Sequence, residues 1–366
     1  MTRVAGLDIG GANLKVAVAE KGVLTDVRQV PCALWRGVEQ LELALSEVAG
    51  LIGKADDVRV TMTGELADVF PDRYTGVARI VEVVEARTWA HSGPQLRFWR
   101  GGAARLDASW WCAAEAVANY AAVASANFLA TTGLVATRLA DTNGHDGGML
   151  IDIGSTTTDI VPFACGWSSP SGLTDADRLR SGELVYTGAT RTPVPAVTTR
   201  GVFQGHWQTL AREPFAHMAD VYRILGTLPD GVDLHATADG RGRTVADSRA
   251  RLARCFGRDD DLSEDGATDA QGEANCAAYW EASARAIAEA QMQSILEGCH
   301  QVISKRPASA RLVVSAGIGA VLATEAARRL GSQCIPFAEV IGVTGDLAGI
   351  AGYCAPAVAL ALLDAD

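Results

Sequence analysis

Apolar residues dominate Val4–Asp8 and Leu14–Ala19 and recur through Val23–Val30, the three joined by Gly10-Gly11-Ala12-Asn13 and by Lys21-Gly22. Short apolar runs closed by glycine turns predict three β-strands. The spacing turns helical over Val38–Ile52, returns to a strand at Val58–Thr63, and predicts a helix over Ala113–Ala124. Gly148–Ile153 then repeats the apolar-to-aspartate strand with which the chain opens, and Thr157–Phe163 is expected as its hairpin partner. Helical spacing over Asn275–Lys305, a strand at Arg311–Ser315 and helices at Ala320–Leu330 and Ala357–Leu363 complete the pattern. Strands alternating with helices predict an α/β fold.

Two uncharged stretches need a decision. Ala116 to Thr137 holds 22 residues without a charge, long enough to span a bilayer. Its alanines, Asn119, Ser125, Asn127 and Gly133 make it weakly hydrophobic, and Leu347–Leu363 is broken by Gly349, Gly352 and Pro356. Both are expected as buried helices, with no membrane span. From Asp239 to Glu273 the character changes, and Gly257-Arg258-Asp259-Asp260-Asp261 with Glu264, Asp265, Asp269 and Glu273 is acid-rich. A solvated loop is expected there; a lid or metal-attracting loop is the alternative.

The strongest signal is an internal echo. Leu7-Asp8-Ile9-Gly10-Gly11-Ala12-Asn13 recurs as Ile151-Asp152-Ile153-Gly154-Ser155-Thr156-Thr157, with the aspartates 144 residues apart. That is about one domain length, and it predicts two domains of like topology presenting equivalent loops. Composition narrows the partners. The 366 residues carry 32 Lys+Arg against 43 Asp+Glu, a net charge of −11, which disfavours nucleic acid and anionic membrane surfaces. Small molecules are expected instead. The eight cysteines form no C-x-x-C pair and no zinc-type spacing with histidine. They read as reduced thiols of a cytoplasmic protein, and Met1-Thr2-Arg3 leads straight into a strand with no signal-peptide pattern.

An apolar strand ending in Asp-Ile-Gly delivers a carboxylate to a tight turn whose backbone N–H groups can approach phosphate oxygens. Ser155, Thr156, Thr157 and Thr158 add hydroxyls, and Lys15 either supplies positive charge or is a solvated edge-strand residue. A carboxylate beside phosphate is repulsive unless a cation lies between them, so Asp8 and Asp152 predict Mg²⁺, held partly through water. Gly317-Ile318-Gly319 follows a third strand but lacks the third glycine of a dinucleotide fingerprint, Leu322 standing in its place.

These three strand–turn segments, with Thr158-Asp159 after the second and Val314-Ser315-Ala316 before the third, resemble the phosphate and adenosine loops of actin, heat-shock chaperones and sugar kinases. Thr61-Met62-Thr63-Gly64-Glu65-Leu66, Ala126-Asn127-Phe128, Tyr186–Val194 and Thr237–Arg241 make the chain most similar to the hydantoinase/oxoprolinase-like branch, in the group linked to tetrahydromethanopterin-dependent one-carbon transfer. The resemblance implies two actin-like (ribonuclease H-like) domains around a central cleft. The first would span 1–145 and the second 146–345, with a helical and acidic-loop insertion around 200–275 and a C-terminal helix, 346–366, packing back on the first. It further implies methanofuran-type cofactor biosynthesis: a transferase joining a furanylmethyl diphosphate to the phenol oxygen of γ-glutamyltyramine, releasing diphosphate. By motif position, Asp8 and Asp152 handle Mg²⁺–diphosphate. Gly10, Gly11, Asn13, Lys15, Gly154, Ser155, Thr156 and Thr157 cradle the phosphates. Asp159 is a candidate base or a capping carboxylate; Tyr186 and Arg191 contact substrate or brace a turn; Gly317 and Gly319 line the third loop. The same loops in an ATP-dependent kinase, an oxoprolinase-like amide hydrolase or a non-catalytic ATP-gated activase are the alternatives. The activase reading is weakened because Cys165 has no suitably spaced partner for an iron–sulfur site.

Overall fold

The computed structural model describes residues 2–88, 95–101, 110–140, 147–164, 166–260 and 270–363. The opening apolar runs form an antiparallel meander, β1 (Arg3–Ile9), β2 (Asn13–Glu20) and β3 (Val23–Pro31). β4 (Asp57–Met62) and β5 (Gln95–Trp99) then lie parallel to β1, and β6 (Trp110–Trp111) pairs antiparallel with β5. The sheet order is β3-β2-β1-β4-β5-β6. The second sheet repeats this plan. β7 (Gly147–Ile153) and β8 (Thr158–Ala164) form the hairpin, β9 (Trp167–Ser168) and β10 (Leu184–Val185) both pair with β8, and a separate ribbon joins β11 (Arg200–Phe203) to β12 (His206–Thr209). β13 (Leu312–Ala316) and β14 (Gln333–Pro336) complete the order β10-β8-β7-β13-β14 with parallel pairing. Each sheet is thus an antiparallel hairpin continued by parallel strands, the ribonuclease H-like plan, and the two together make the expected actin-like α/β architecture.

The central strands β1, β4, β7 and β13 read as near-continuous apolar runs because both of their faces are covered, whereas β3 at the sheet edge alternates exposed and buried residues. Leu7, Ile9, Val58 and Val60 pack outward with the Glu39–Ile52 and Arg73–Thr88 helices. On the second sheet Met149, Ile151 and Val313 pack against the long Ala270–Lys305 helix and the Ala320–Leu330 helix. Between the sheets lie the Asn127–Ala140 and Ala355–Leu362 helices, sharing one core with Ala17 and Val27 of the first sheet and Leu150, Phe163 and Val314 of the second. A smaller cluster of Phe203, Phe256 and Trp280 fixes the ribbon.

One element differs from its sequence pattern. The predicted Ala113–Ala124 helix ends at Ala118, and a single turn over Tyr120–Ala122 follows. Ser125 then takes φ +51° before the next helix begins at Asn127. Tertiary bonds win over spacing here: Ala122 accepts from the Gly101 N–H at 2.7 Å, and Ala124 bridges to Met62 at the end of β4. The uncharged Ala116–Thr137 stretch is therefore split: Asn127–Ala140 is the expected buried helix, whereas Ala113–Ala118 lies on the surface and buries only Ala116. Among the described residues no helix is long and apolar enough to cross a membrane. Cys32, Cys255, Cys276, Cys299 and Cys354 are buried free thiols. Where a solvated loop is expected over Asp239–Glu273, Val245–Cys255 forms a helix that buries Arg251, Leu252 and Ala253; Cys165, residues 261–269 and the 145/146 boundary lie outside the described residues.

Arg59 on β4 ties the last helix to the first sheet. Its Nε is 2.7 Å from Asp57 Oδ2, Nη1 donates to Leu360 O at 3.0 Å, and Leu363 O is a further acceptor. Arg59→Met should therefore cost about 1–3 kcal/mol in urea unfolding, since helix-end carbonyls lose their donor while Asp57 keeps Arg97 as a partner.

Candidate functional site

β1 and β7 end side by side at a cavity of about 330 Å³ lined from both sheets. The two Asp-Ile-Gly segments close with the same bond: the Gly10 N–H donates to Asn13 O at 2.9 Å, and the Gly154 N–H to Thr157 O at 2.9 Å. Both turns reverse the chain into a hairpin whose register sets what faces each aspartate. Asp8 stands opposite Lys15, whereas Asp152 stands opposite Asp159. The duplicated frame thus carries opposite charges at matching positions.

Lys15 Nζ lies 3.3 Å from Asp8 Oδ2. Asp8 Oδ1 and Asn13 Oδ1 are buried without a hydrogen-bond partner. Burial raises the Asp8 carboxyl above its ordinary range, although Lys15 opposes the shift. Asp152 is pushed up to about 7 by burial, with Lys15 opposing and Asp159 and Asp8 adding to it. For Lys15, burial works against the charge, but Asp8 and Asp152 outweigh it and hold the ammonium above its usual value. The pocket therefore holds more negative charge than one lysine balances.

Gly10, Gly11, Asn13, Lys15, Gly154, Ser155, Thr156 and Thr157 all line the cavity with the two aspartates, as do Asp159, Tyr186 and Arg191. Asp159 is held in an ion pair by Arg178, a buried guanidinium that also lies 3.6 Å over the Phe128 ring. The Tyr186–Val194 segment braces the second loop: Arg191 N–H donates to Ser155 O at 2.8 Å and Ala189 N–H to Gly154 O at 2.9 Å. Gln291, buried in the long helix, holds this segment by Thr187 Oγ1 at 2.6 Å and Gly188 O at 2.8 Å. Tyr186 is itself exposed, and the Arg191 guanidinium stacks 4.3 Å over Trp35, which meets the His235 ring edge-on at 5.2 Å. Gly317 and Gly319 sit behind the second strand, where Gly319 N–H donates to Ile153 O at 2.9 Å, and Ile318 is the residue of that loop at the cavity.

Trp35, Ser125, Asn127, Asp175 and Arg178 also line the cavity, and none of them belongs to the three strand–turn motifs. Thr61–Leu66 and Ala126–Phe128 had marked the neighbourhood as family-like segments. Asp175 and Arg178 lie in a short polar helix, Asp175–Ser181, with no sequence signal at all. Thr237–Arg241 is a braced turn: Asp239 takes bonds from Arg251 at 3.1 Å and Arg254 at 2.9 Å.

A divalent cation fits this donor set. Mg²⁺ is commonly held by one or two carboxylates plus phosphate and water rather than by a full protein cage. Asp8 Oδ1 is an unpartnered hard oxygen, and among the described residues no group of three or more His, Cys, Asp or Glu forms such a cage.

A family model described as hydantoinase/oxoprolinase matches residues 57–361. The chain belongs to the hydantoinase/oxoprolinase family. It is similar to the (4-{4-[2-(gamma-L-glutamylamino)ethyl]phenoxymethyl}furan-2-yl)methanamine synthase of Methanocaldococcus jannaschii, 32% identical over 72% of this chain and 74% of that one. A protein of the same name from Methanococcus vannielii is 32% identical over 29% of this chain and 47% of that one. Among solved structures, acetone carboxylase in its nucleotide-free form superposes with a TM-score of 0.51 at 10% identity, covering 97% of this chain and 70% of that one, a likeness of fold.

Proposed function

We propose that this protein is an enzyme of methanofuran-type cofactor biosynthesis. It transfers a furanylmethyl group from its diphosphate to the phenol oxygen of a γ-glutamyltyramine-like acceptor and releases diphosphate. One observation carries the reading: the two Asp-Ile-Gly turns converge on a single cavity with Lys15 between their aspartates. Kinship to relatives named for the synthase supplies the substrate class.

A polyanionic leaving group suits this cavity. The turns at Gly10-Gly11 and at Gly154-Ser155-Thr156-Thr157 bring backbone and hydroxyl donors to its wall, and Lys15 offsets charge from the side. Asp8 Oδ1 and Asp152 would hold Mg²⁺, which when bound supplies Lewis-acid stabilisation of the charge growing on the diphosphate oxygens. The electron-rich furan shares the positive charge on the departing methylene carbon. At the far side, Trp35 offers an aromatic face and Arg191 a half-buried guanidinium suited to the acceptor's carboxylate. The cleft's contribution is positioning the phenol in line with that carbon.

Purified protein given Mg²⁺, furanylmethyl diphosphate and γ-glutamyltyramine should form the ether and diphosphate in equal amounts, read by mass spectrometry, with no nucleotide added. ATP hydrolysis stimulated by the acceptor, without ether, would instead assign the same loops to kinase or oxoprolinase-type chemistry.

A further inference from the structure

The transfer needs somewhere for the acceptor's proton to go, because a free phenol ionises only near a pKa of roughly 10. Asp159, the carboxylate nearest in sequence, is committed to Arg178, and protonating it would break that pair. A second carboxyl lies just behind the cavity wall. Glu65 sits in the single turn Gly64–Leu66 at the end of β4 and is 1% exposed. Its Oε1 accepts from Ser125 Oγ at 2.8 Å, while Oε2 is buried with no partner. Burial pushes this carboxyl up to about 7, against the opposing effects of the Ser125 bond and Arg73.

Ser125 is the link to the cavity, whose wall it lines. Its φ of +51° lies in the left-handed region, which a serine occupies only where the surroundings impose it. The same hydroxyl is 3.3 Å from Asp175 Oδ2, and Asp175 is held by Arg73 at 2.6 Å. One hydroxyl proton cannot serve two carboxylates at once. With Glu65 ionised, Ser125 donates to it; with Glu65 protonated, Glu65 donates to Ser125 and the serine proton turns to Asp175. The pair therefore has two bonded states that differ by one proton, and the oxygen at the cavity is common to both. The charged groups around Glu65 are Arg73, from the helix whose Gly76 packs on the Glu65 backbone, and Asp175 from the facing short helix.

Resting on the transferase reading above, we propose that Ser125 and Glu65 are the proton relay of the reaction. The acceptor's hydroxyl proton passes to Ser125 Oγ as the serine proton passes to Glu65 Oε1. The freed oxygen pair forms the new C–O bond to the furanylmethyl carbon. The old C–O bond breaks, its electron pair leaves with diphosphate, and Glu65 afterwards returns the proton to solvent.

Glu65→Gln tests this, because glutamine keeps the acceptor oxygen for Ser125 but cannot take a proton. The variant should lose about 100-fold or more in kcat/KM, with KM for the diphosphate unchanged. The ascending limb of the wild-type pH profile near pH 7 should become shallower, losing the Glu65 ionisation and keeping that of Asp152. Ser125→Ala should lose a comparable factor. The infrared difference between the wild type and Glu65→Gln should isolate one carboxyl band titrating near pH 7, separate from the Asp152 band that both proteins keep. A Glu65→Gln enzyme with the wild-type rate and pH limb would overturn the relay. If the wild type forms no ether at all, the transferase reading fails separately; the infrared titration still decides the pair, and a Glu65 band titrating in the ordinary carboxylate range overturns it.

Discussion

Asp8→Asn and Asp152→Asn should each lower kcat by roughly 100- to 1,000-fold while leaving the fold intact, because each removes charge from the place where, in the proposed reaction, the leaving group's counterion would be held. The two variants should differ in stability. Asp8→Asn deprives Lys15 of its partner at 3.3 Å, so it should melt lower than the wild type. Asp152→Asn removes a carboxyl that burial raises to about 7, with Asp8 and Asp159 beside it. The folded protein binds that proton more tightly than the unfolded chain, so Asp152 costs stability as pH rises from the ordinary carboxylate range through about 7. Asp152→Asn should therefore gain on the wild type as pH rises through that window and hold its gain above it. Thermal melts across the window, paired with turnover, check both halves; near-normal turnover in either variant contradicts the metal–diphosphate assignment.

Gly317→Ala and Gly188→Ala should each cost about 2–4 kcal/mol of stability, for different reasons. Gly317 has φ +80°, and a Cβ there would lie 2.3 Å from Ile153 O and 2.4 Å from Asp152 Oδ1. The added methyl collides with the carboxyl that the site depends on. At Gly188 a Cβ would lie 2.5 Å from both Ser155 C and Thr156 N, so the methyl pushes the Gly154–Thr157 turn into the cavity. Gly188→Ala should accordingly raise KM for the diphosphate as well as destabilise. Gly50→Ala, on the outer Glu39–Ile52 helix, is the control, since nothing lies within 4 Å of a Cβ there. Denaturant unfolding with steady-state kinetics on the three variants separates crowding of the loop from general loss of fold.

Much of the site is legible in sequence because it is local. Asp8 and Lys15 face each other through a hairpin that eight contiguous residues specify, and Asp152 and Asp159 do the same. What sequence hides is whatever reaches the cavity through packing. Trp35 arrives from a turn after β3, and Arg178 from a polar helix whose sequence resembles any surface helix. Ser125 is legible least of all, since its left-handed backbone occurs without the glycine or proline that would mark a break, and periodicity therefore runs a helix up to it. Gly317 and Gly319 show the converse. Their spacing reads as a loop for a ligand, while the structure presses both glycines against β7 and turns Ile318 to the cavity.

Which bond breaks is the most direct question to put to the molecule. A furanylmethyl diphosphate carrying heavy oxygen at the bridge between carbon and phosphorus should be turned over with the phenol acceptor, and both products weighed by mass spectrometry. Alkyl transfer predicts that all of the label leaves in diphosphate, because the carbon–oxygen bond is the one cleaved. Label retained on the furan carbon would mean that phosphorus–oxygen cleavage had occurred, and would contradict the assignment of this cleft to ether formation.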